Sequence, residues 1–346
     1  MHMESYKPTK WNRPALWQEA LADKSVRCLL CPHACVLHPQ QMGICRTRIN
    51  YDGTLFTLAY GNPCSVGIDP IEKKPLFHFL PGSDIYSLSV AGCNFRCLNC
   101  QNSSISQQTP LQVSHVDISP SEVVLQALSR HATSIAFTYT EPTVFYEYML
   151  DIARIAREKG VKSVIVSNGY INEEPLSELL PWIDAANIDL KCFDDKIYRH
   201  LAGGELQPVL DTLKMVKAAG VWLEITNLLV PGYTDSPEQI QALCEWLAEN
   251  GFADTPLHFS RFFPGYKLPN VLPTTDEVLI RAKSIAEKAG IDYVYIGNSP
   301  DLHAENTCCP ACRQTVVERV GYRVITNHIY HGRCGFCGEP ITGVWN

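Results

Sequence analysis

A chain of 346 residues, 46% apolar and 19% charged, has the composition of a folded globular protein and can hold one large α/β domain with smaller attachments. Its formal charge of −7 argues against a broad phosphate-tracking surface, because nucleic-acid affinity rests largely on Lys and Arg neutralising phosphates. Fifteen cysteines in a reducing compartment point to metal rather than to disulfides.

The stretch MHMESYKPTKWNRPALWQEALADK lacks the apolar run of a signal peptide, and no later run approaches a bilayer span. A cytoplasmic protein without a membrane partner is expected. RCLLCPHACVLHPQQMGICR then gathers Cys28, Cys31, Cys35 and Cys45. The group admits zinc or an auxiliary iron–sulfur cluster, with His33 or His38 as alternative ligands. Residues 1–84 are read as a Cys-rich N-terminal extension.

From residue 85, β-branched or aromatic runs alternate with amphipathic helical ones. IYSLSVAG reads as a strand, followed by the loop GCNFRCLNCQN with Cys93, Cys97 and Cys100. SPSEVVLQALSRH reads as a helix, with Ser119 and Glu122 at capping-box spacing and Pro120 at the first helical position. SIAFTYT then precedes the helix PTVFYEYMLDIARIAREKG, KSVIVSNG precedes EEPLSELLPWI, and AANIDLK precedes a helix from near Pro208 to Gly220. VWLEITNLLVPG with SPEQIQALCEWLAENG, and LHFSRFFPG with TTDEVLIRAKSIAEKAG, complete six strand–helix units before a closing strand, DYVYIG. Such repetition implies a parallel sheet. The expected fold is α/β, a partial (βα)6 parallel barrel over residues 85–300, with a doubly wound sheet as the competing architecture. Cys93, Glu141, Asn168, Asp189, Lys191, Asn227 and Arg261 all fall at or just past C-terminal strand ends, where parallel barrels assemble their sites.

In the last segment, 301–346, CCPACRQ and GRCGFCGEP place Cys309 with Cys312 and Cys334 with Cys337 as paired knuckles around a predicted β-hairpin. Paired C-x2-C knuckles enclose one tetrahedral ion, so a small zinc-ribbon-like domain is expected; a rubredoxin-like iron or an auxiliary cluster uses the same thiolates. Cys308, His303, His328 and His331 are neighbours without a ligand pattern of their own. Cys64, Cys192 and Cys244 stand apart, and Cys192 and Cys244 read as buried small hydrophobes.

The loop at Cys93, Cys97 and Cys100 is one thiolate short of a closed site. Cysteines at this spacing can reach different irons of one cube, and three of them leave the fourth iron free to chelate a substrate or cofactor. The bland alternative is a closed site completed by Cys64 or Cys192.

The loop, placed after the first strand of a βα array, resembles the radical S-adenosylmethionine (radical SAM) superfamily. That resemblance implies a [4Fe-4S] cluster whose open iron binds the amino and carboxylate groups of S-adenosylmethionine, and reductive cleavage to a 5′-deoxyadenosyl radical that abstracts hydrogen. TYTEPT stands where the superfamily carries a Gly-Gly-Glu-Pro-like segment and implies cofactor roles for Thr140 and Glu141. VSNGY and NIDLK are similar to segments of the pyruvate formate-lyase activating enzyme branch, implying Ser167, Asn168, Asp189 and Lys191. Asn99 stands where an aromatic residue commonly packs near the adenine, and Val166 where that branch carries an aspartate. More narrowly, CPHAC, DPIEKKPLFHF, GCNFRCLNCQN and ENTCCPAC together resemble the radical enzyme of the AmmeMemoRadiSam system.

The function expected is that of a radical enzyme supplied by a low-potential electron donor, acting on a substrate that includes protein residues among its candidates. The alternative class is a metal-binding scaffold or electron carrier with an inactive barrel. The substrate-facing positions name no catalytic residue.

Overall fold

The computed structural model describes residues 12–299 and 304–345. At its centre lie eight strands: β1 (Ser65–Pro70), β2 (Asp84–Ser89), β3 (Ser134–Phe137), β4 (Lys162–Ser167), β5 (Ala185–Asp189), β6 (Trp222–Leu229), β7 (Leu257–Arg261) and β8 (Val294–Gly297). β2 to β8 run parallel, each beside its neighbour in sequence, and β1 pairs antiparallel with β2 as an edge strand.

Parallel neighbours need crossovers, and these are α1 (Pro120–Ser129), α2 (Tyr146–Glu158), α3 (Glu173–Leu179), α4 (Asp195–Leu201), α5 (Leu206–Ala218), α6 (Pro237–Glu249) and α7 (Asp276–Lys288). Local chemistry sets their starts. The Ser119 and Glu122 capping box forms, and Ser236 accepts from the Gln239 amide ahead of α6. The helix α4 lies outside the helix expected from Pro208; the Asp194 carboxylate caps it by accepting from the Ile197 amide at 2.9 Å.

Strand side chains alternate between faces. One face, with Leu88, Ile135, Phe137, Ile188, Ile225 and Phe259, packs into the main apolar core against the helices. The opposite face changes character along the strands. Ile85, Ala136, Val164 and Ala185 are apolar there, whereas Ser87, Asn187, Glu224, Thr226 and His258 are polar and buried.

The segment after β1 meets two of those polar groups, Asn187 and Glu224. Asn187 Nδ2 donates to Pro75 O at 2.8 Å, and Glu224 accepts from the amides of Phe77 and His78 at 3.0 and 2.7 Å. His258 Nε2 lies 2.6 Å from the same Glu224 carboxylate. The C-terminal residues close over this segment: Arg319 donates to Phe77 O at 2.7 Å, and the Leu80 amide donates to Val344 O at 2.7 Å. An antiparallel hairpin, Thr315–Val320 with Arg323–Asn327, forms as expected between the two cysteine knuckles. Among the described residues, no helix is long and apolar enough to cross a membrane.

His78 is the pin of this packing. It is fully buried, with Nδ1 2.6 Å from Thr342 O and Nε2 2.6 Å from the Tyr295 hydroxyl, and burial pushes it down to about 4 from 6.5. The unfolded chain therefore takes up a proton at this position that the folded chain refuses as pH falls from 6.5 toward 4. Stability from this group is present above the unfolded value and is lost on acidification, by up to roughly 3 kcal/mol. Urea midpoints of the wild type and His78→Asn at pH 7.5 and 5 are expected to show a smaller acid loss in the variant, and equal losses would remove His78 from this role.

Candidate active site

The loop after β2 begins with Gly92, at φ +115°, and a Cβ there would come within 2.4 Å of Thr47 Cγ2 and 2.8 Å of Cys45 O. Only glycine permits this approach of the N-terminal segment. Cys93, Cys97 and Cys100 then face a cavity of about 600 Å³ at the C-terminal ends of the parallel strands. No other cysteine among the described residues lines it. Cys192 is buried, with its thiol donating to Asp194 O at 3.3 Å, and Cys64 turns to Ser89 O at 3.5 Å.

The Phe95 amide donates to Cys93 Sγ at 3.3 Å, and Cys100 Sγ lies 3.1 Å from Ser106 Oγ. Burial pushes the Cys93 thiol well up and takes Cys97 to about 11, with Lys191 pulling the latter back. Such thiols stay protonated at neutral pH until a metal displaces the proton.

Thr140, Glu141, Ser167, Asn168, Asp189 and Lys191 line the same cavity. Glu141 follows β3 and N-caps the 3-10 turn Pro142–Phe145 that leads into α2. Its Oε1 accepts from the Thr143 amide (3.0 Å), Thr143 Oγ1 (2.7 Å) and Ser167 Oγ (2.7 Å), and its Oε2 from the Asn168 amide (2.8 Å). Complete burial raises its carboxyl above the ordinary glutamate value, against the pull of these donors. Both oxygens are thus engaged in joining the β3 and β4 turns. Asn168 continues the network, donating to Asn94 Oδ1 at 2.8 Å beside Cys93, while Thr140 Oγ1 donates to Val90 O at 2.6 Å.

Asp189 and Lys191 form a 3.0 Å ion pair at the end of β5. Burial opposes the ammonium charge, but Asp189 and Cys97 hold Lys191 well above the ordinary lysine range. Asn227 and Arg261, expected at the same mouth, do not line the cavity. Asn227 Nδ2 donates to Leu190 O at 2.7 Å, and Arg261 donates to Thr274 O at 2.8 Å and pairs with Asp276. Their side chains tie strand ends to loops.

Sequence reasoning missed a further part of the cavity wall. Lys73, Lys74 and Tyr139 line it. Asp69 accepts from Lys73 and Lys74 at 2.7 Å each and from the Tyr139 hydroxyl; although burial works the other way, these donors hold its carboxyl well below the usual range. Lys74 sits 4.5 Å from the Tyr139 ring centroid and is pushed down to about 8 by burial, against Asp69. Tyr139 holds a left-handed backbone at φ 65°, a strained position for an aromatic residue at a cavity wall. The adjacent charges of DPIEKK were the available signal.

Cys309, Cys312, Cys334 and Cys337 converge elsewhere, with their ligand atoms all within 4.8 Å of one another. Sγ separations of 3.6 Å (Cys309 to Cys337) and 3.7 Å (Cys312 to Cys334) match the roughly 3.8 Å that tetrahedral Zn–S bonds of about 2.3 Å require. Cys308 is exposed, Cys244 is core, and His303 lies outside the described residues. Cys28, Cys31, Cys35 and Cys45 surround a small cavity of their own. His33 Nε2 lies 2.8 Å from Asn94 O and His38 Nδ1 2.9 Å from Ser25 Oγ.

Residues 88–247 match the family model of the Radical SAM superfamily. An uncharacterized protein of Methanocaldococcus jannaschii is 45% identical over 331 residues, 95% of this chain and 98% of its own. The pyruvate formate-lyase 1-activating enzyme of Escherichia coli K12 is 26% identical over 213 residues, 58% of this chain and 87% of its own. Among solved structures, Streptococcus suis SuiB bound to S-adenosylmethionine superposes with a TM-score of 0.49 at 16% identity, over 69% of this chain and 56% of that one.

Proposed function

The chain belongs to the radical SAM superfamily, and from that premise we propose that it cleaves S-adenosylmethionine reductively and uses the product radical to abstract hydrogen from a substrate held in the 600 Å³ cavity. The observation that carries the reading is the trio Cys93, Cys97 and Cys100 facing that cavity with no fourth thiol among the described residues beside them. Cys93, Cys97 and Cys100 would hold a [4Fe-4S] cluster by three irons, and such a cluster would supply an open iron for the methionyl group and the electron for reductive cleavage.

The chain's own part is positioning. Lys191, paired with Asp189, presents a fixed cation for the methionyl carboxylate. Ser167 and Asn168 shape the floor beside Cys93, and Glu141 acts through them by holding both turns. Thr140 anchors the β3 turn to the end of β2. In this reading the sheet is a partial (βα)6 barrel over residues 85–300, with residues 1–84 as its Cys-rich extension. Residues 301–346 form a zinc-ribbon-like domain with zinc on Cys309, Cys312, Cys334 and Cys337. A low-potential one-electron donor supplies the electron, and a residue of a partner protein is the favoured substrate, as the activating-enzyme names of the relatives suggest for theirs.

Asn99 takes the place of the aromatic residue expected near the adenine. It lines the cavity, and its Oδ1 is buried without a hydrogen-bond partner among the described residues, so that a turn of the side chain would present an acceptor suited to the adenine amino group. Loss of one such bond is worth about 1–1.5 kcal/mol, so Asn99→Leu is expected to raise the Kd for S-adenosylmethionine roughly 5- to 10-fold at unchanged iron content. An unchanged Kd would place the adenine elsewhere.

The reading is tested on anaerobically reconstituted protein, reduced with dithionite in the presence of S-adenosylmethionine. 5′-Deoxyadenosine and methionine are expected in equal amounts. Their absence with a fully assembled cluster would overturn it.

A further inference from the structure

We propose that Cys28, Cys31, Cys35 and Cys45 hold a second cuboidal [4Fe-4S] cluster, closed by four thiolates and set directly behind the three-cysteine loop. Two turns bring the sulfurs around one void. The first is closed by the Cys28 amide donating to Cys35 O at 2.9 Å, and the second by the Gly43 amide donating to Arg48 O at 2.9 Å. Leu30, Leu37, Ile44 and Val144 supply apolar wall to the small cavity that all four cysteines line.

Spacing separates a cluster from an ion. Among the described residues, the C-terminal four are the cysteines that bring their sulfurs within 4.8 Å of one another; no three of the N-terminal four do so. Cys93, Cys97 and Cys100 are likewise not drawn together to that spacing. A single zinc needs sulfurs about 3.8 Å apart, whereas a cube seats each thiolate on a different iron and keeps them further apart.

Arg48 is the second, independent observation. It is 1% exposed and lines the same void, and its buried Nε has no hydrogen-bond partner among the described residues. Its other nitrogens are engaged, Nη1 with Leu16 O at 2.8 Å and Nη2 with Glu147 at 2.5 Å. A buried guanidinium beside these thiols is a positive charge of the kind an anionic cluster needs close by. Thr47 Oγ1 donates to Val144 O at 2.9 Å and lies 3.3 Å from Cys45 Sγ, where its one proton is shared between the two acceptors; hydrogen bonds to sulfur are the kind of contact that tunes cluster potentials.

The two cysteine sites share a wall. The Cys93 amide donates to Cys45 O at 3.3 Å, and His33 meets Asn94 O at 2.8 Å. A closed cluster offers no open iron, so its chemistry is electron storage. It takes one electron from the low-potential donor and returns to its oxidised state on passing that electron to the first cluster, with no bond made or broken.

The test counts iron and inorganic sulfide, which a mononuclear site lacks, in the full reconstituted chain. About eight sulfides are expected per chain, and about four in the triple variant Cys93→Ala, Cys97→Ala, Cys100→Ala. The residual cluster should give an electron paramagnetic signal on reduction that S-adenosylmethionine does not change. Wild-type protein with about four sulfides, or with a second zinc per chain, would overturn the proposal without recourse to any variant. A surviving S-adenosylmethionine-sensitive cluster in Cys31→Ala, Cys35→Ala would keep the cleavage reading intact even then.

Discussion

Cys97→Ala is expected to abolish S-adenosylmethionine cleavage, to below about 1% of wild type, while the zinc content proposed for the C-terminal four cysteines stays at its wild-type level. With two thiolates left, the loop cannot seat three irons and the open one is lost with them. The C-terminal four are insulated from this change. Cys309 and Cys334 pack with Val316, Val317, Ile329 and Ile341 in a cluster of their own, joined to the sheet through Phe77, Tyr293 and Tyr295. Metal analysis alongside product quantification reads both sites at once. Joint loss of zinc and cleavage would mean that the two centres depend on one folding unit, and retained cleavage would remove Cys97 from the site.

The parts of this site that were legible in the sequence are those where chemistry and period coincide. Alternating βα segments have lengths and caps that announce a parallel sheet, and cysteine spacing does not depend on tertiary context. What stayed hidden was decided by partners distant in sequence. Ser65–Pro70, carrying Gly67 and Pro70, has a weak strand pattern, yet it forms the sheet's edge by pairing with β2. The N-terminal strands, two to four residues each, owe their existence to pairing rather than propensity. Asn227 and Arg261 show the converse: a polar residue at a strand end can as well fasten a loop as face a cavity. Asp69, Lys74 and Tyr139 were invisible as a group because their convergence needs β1 to lie beside β2 and the β3 turn to bend over it.

Glu141 has two assignments that a single substitution can separate. The resemblance assigns it to the cofactor, but its two oxygens already accept four hydrogen bonds from Thr143, Ser167 and Asn168. Glu141→Gln keeps the shape and replaces one acceptor oxygen by a donor, leaving an N–H or O–H of that cradle facing another donor in a fully buried site. Each such buried mismatch costs about 1–3 kcal/mol, so a loss of roughly 2–4 kcal/mol in unfolding free energy is expected. Cleavage should fall further than stability alone explains, by more than about 100-fold in folded protein, because the Asn168 backbone amide loses its acceptor and with it the anchor for the Asn168 side chain that donates to Asn94 beside the cysteine loop. The cysteines themselves are untouched, so iron and sulfide should remain near wild type. Urea denaturation, sulfide content and cleavage rate together separate the two roles. A variant as stable as wild type that merely binds S-adenosylmethionine more weakly would return Glu141 to direct contact with the cofactor.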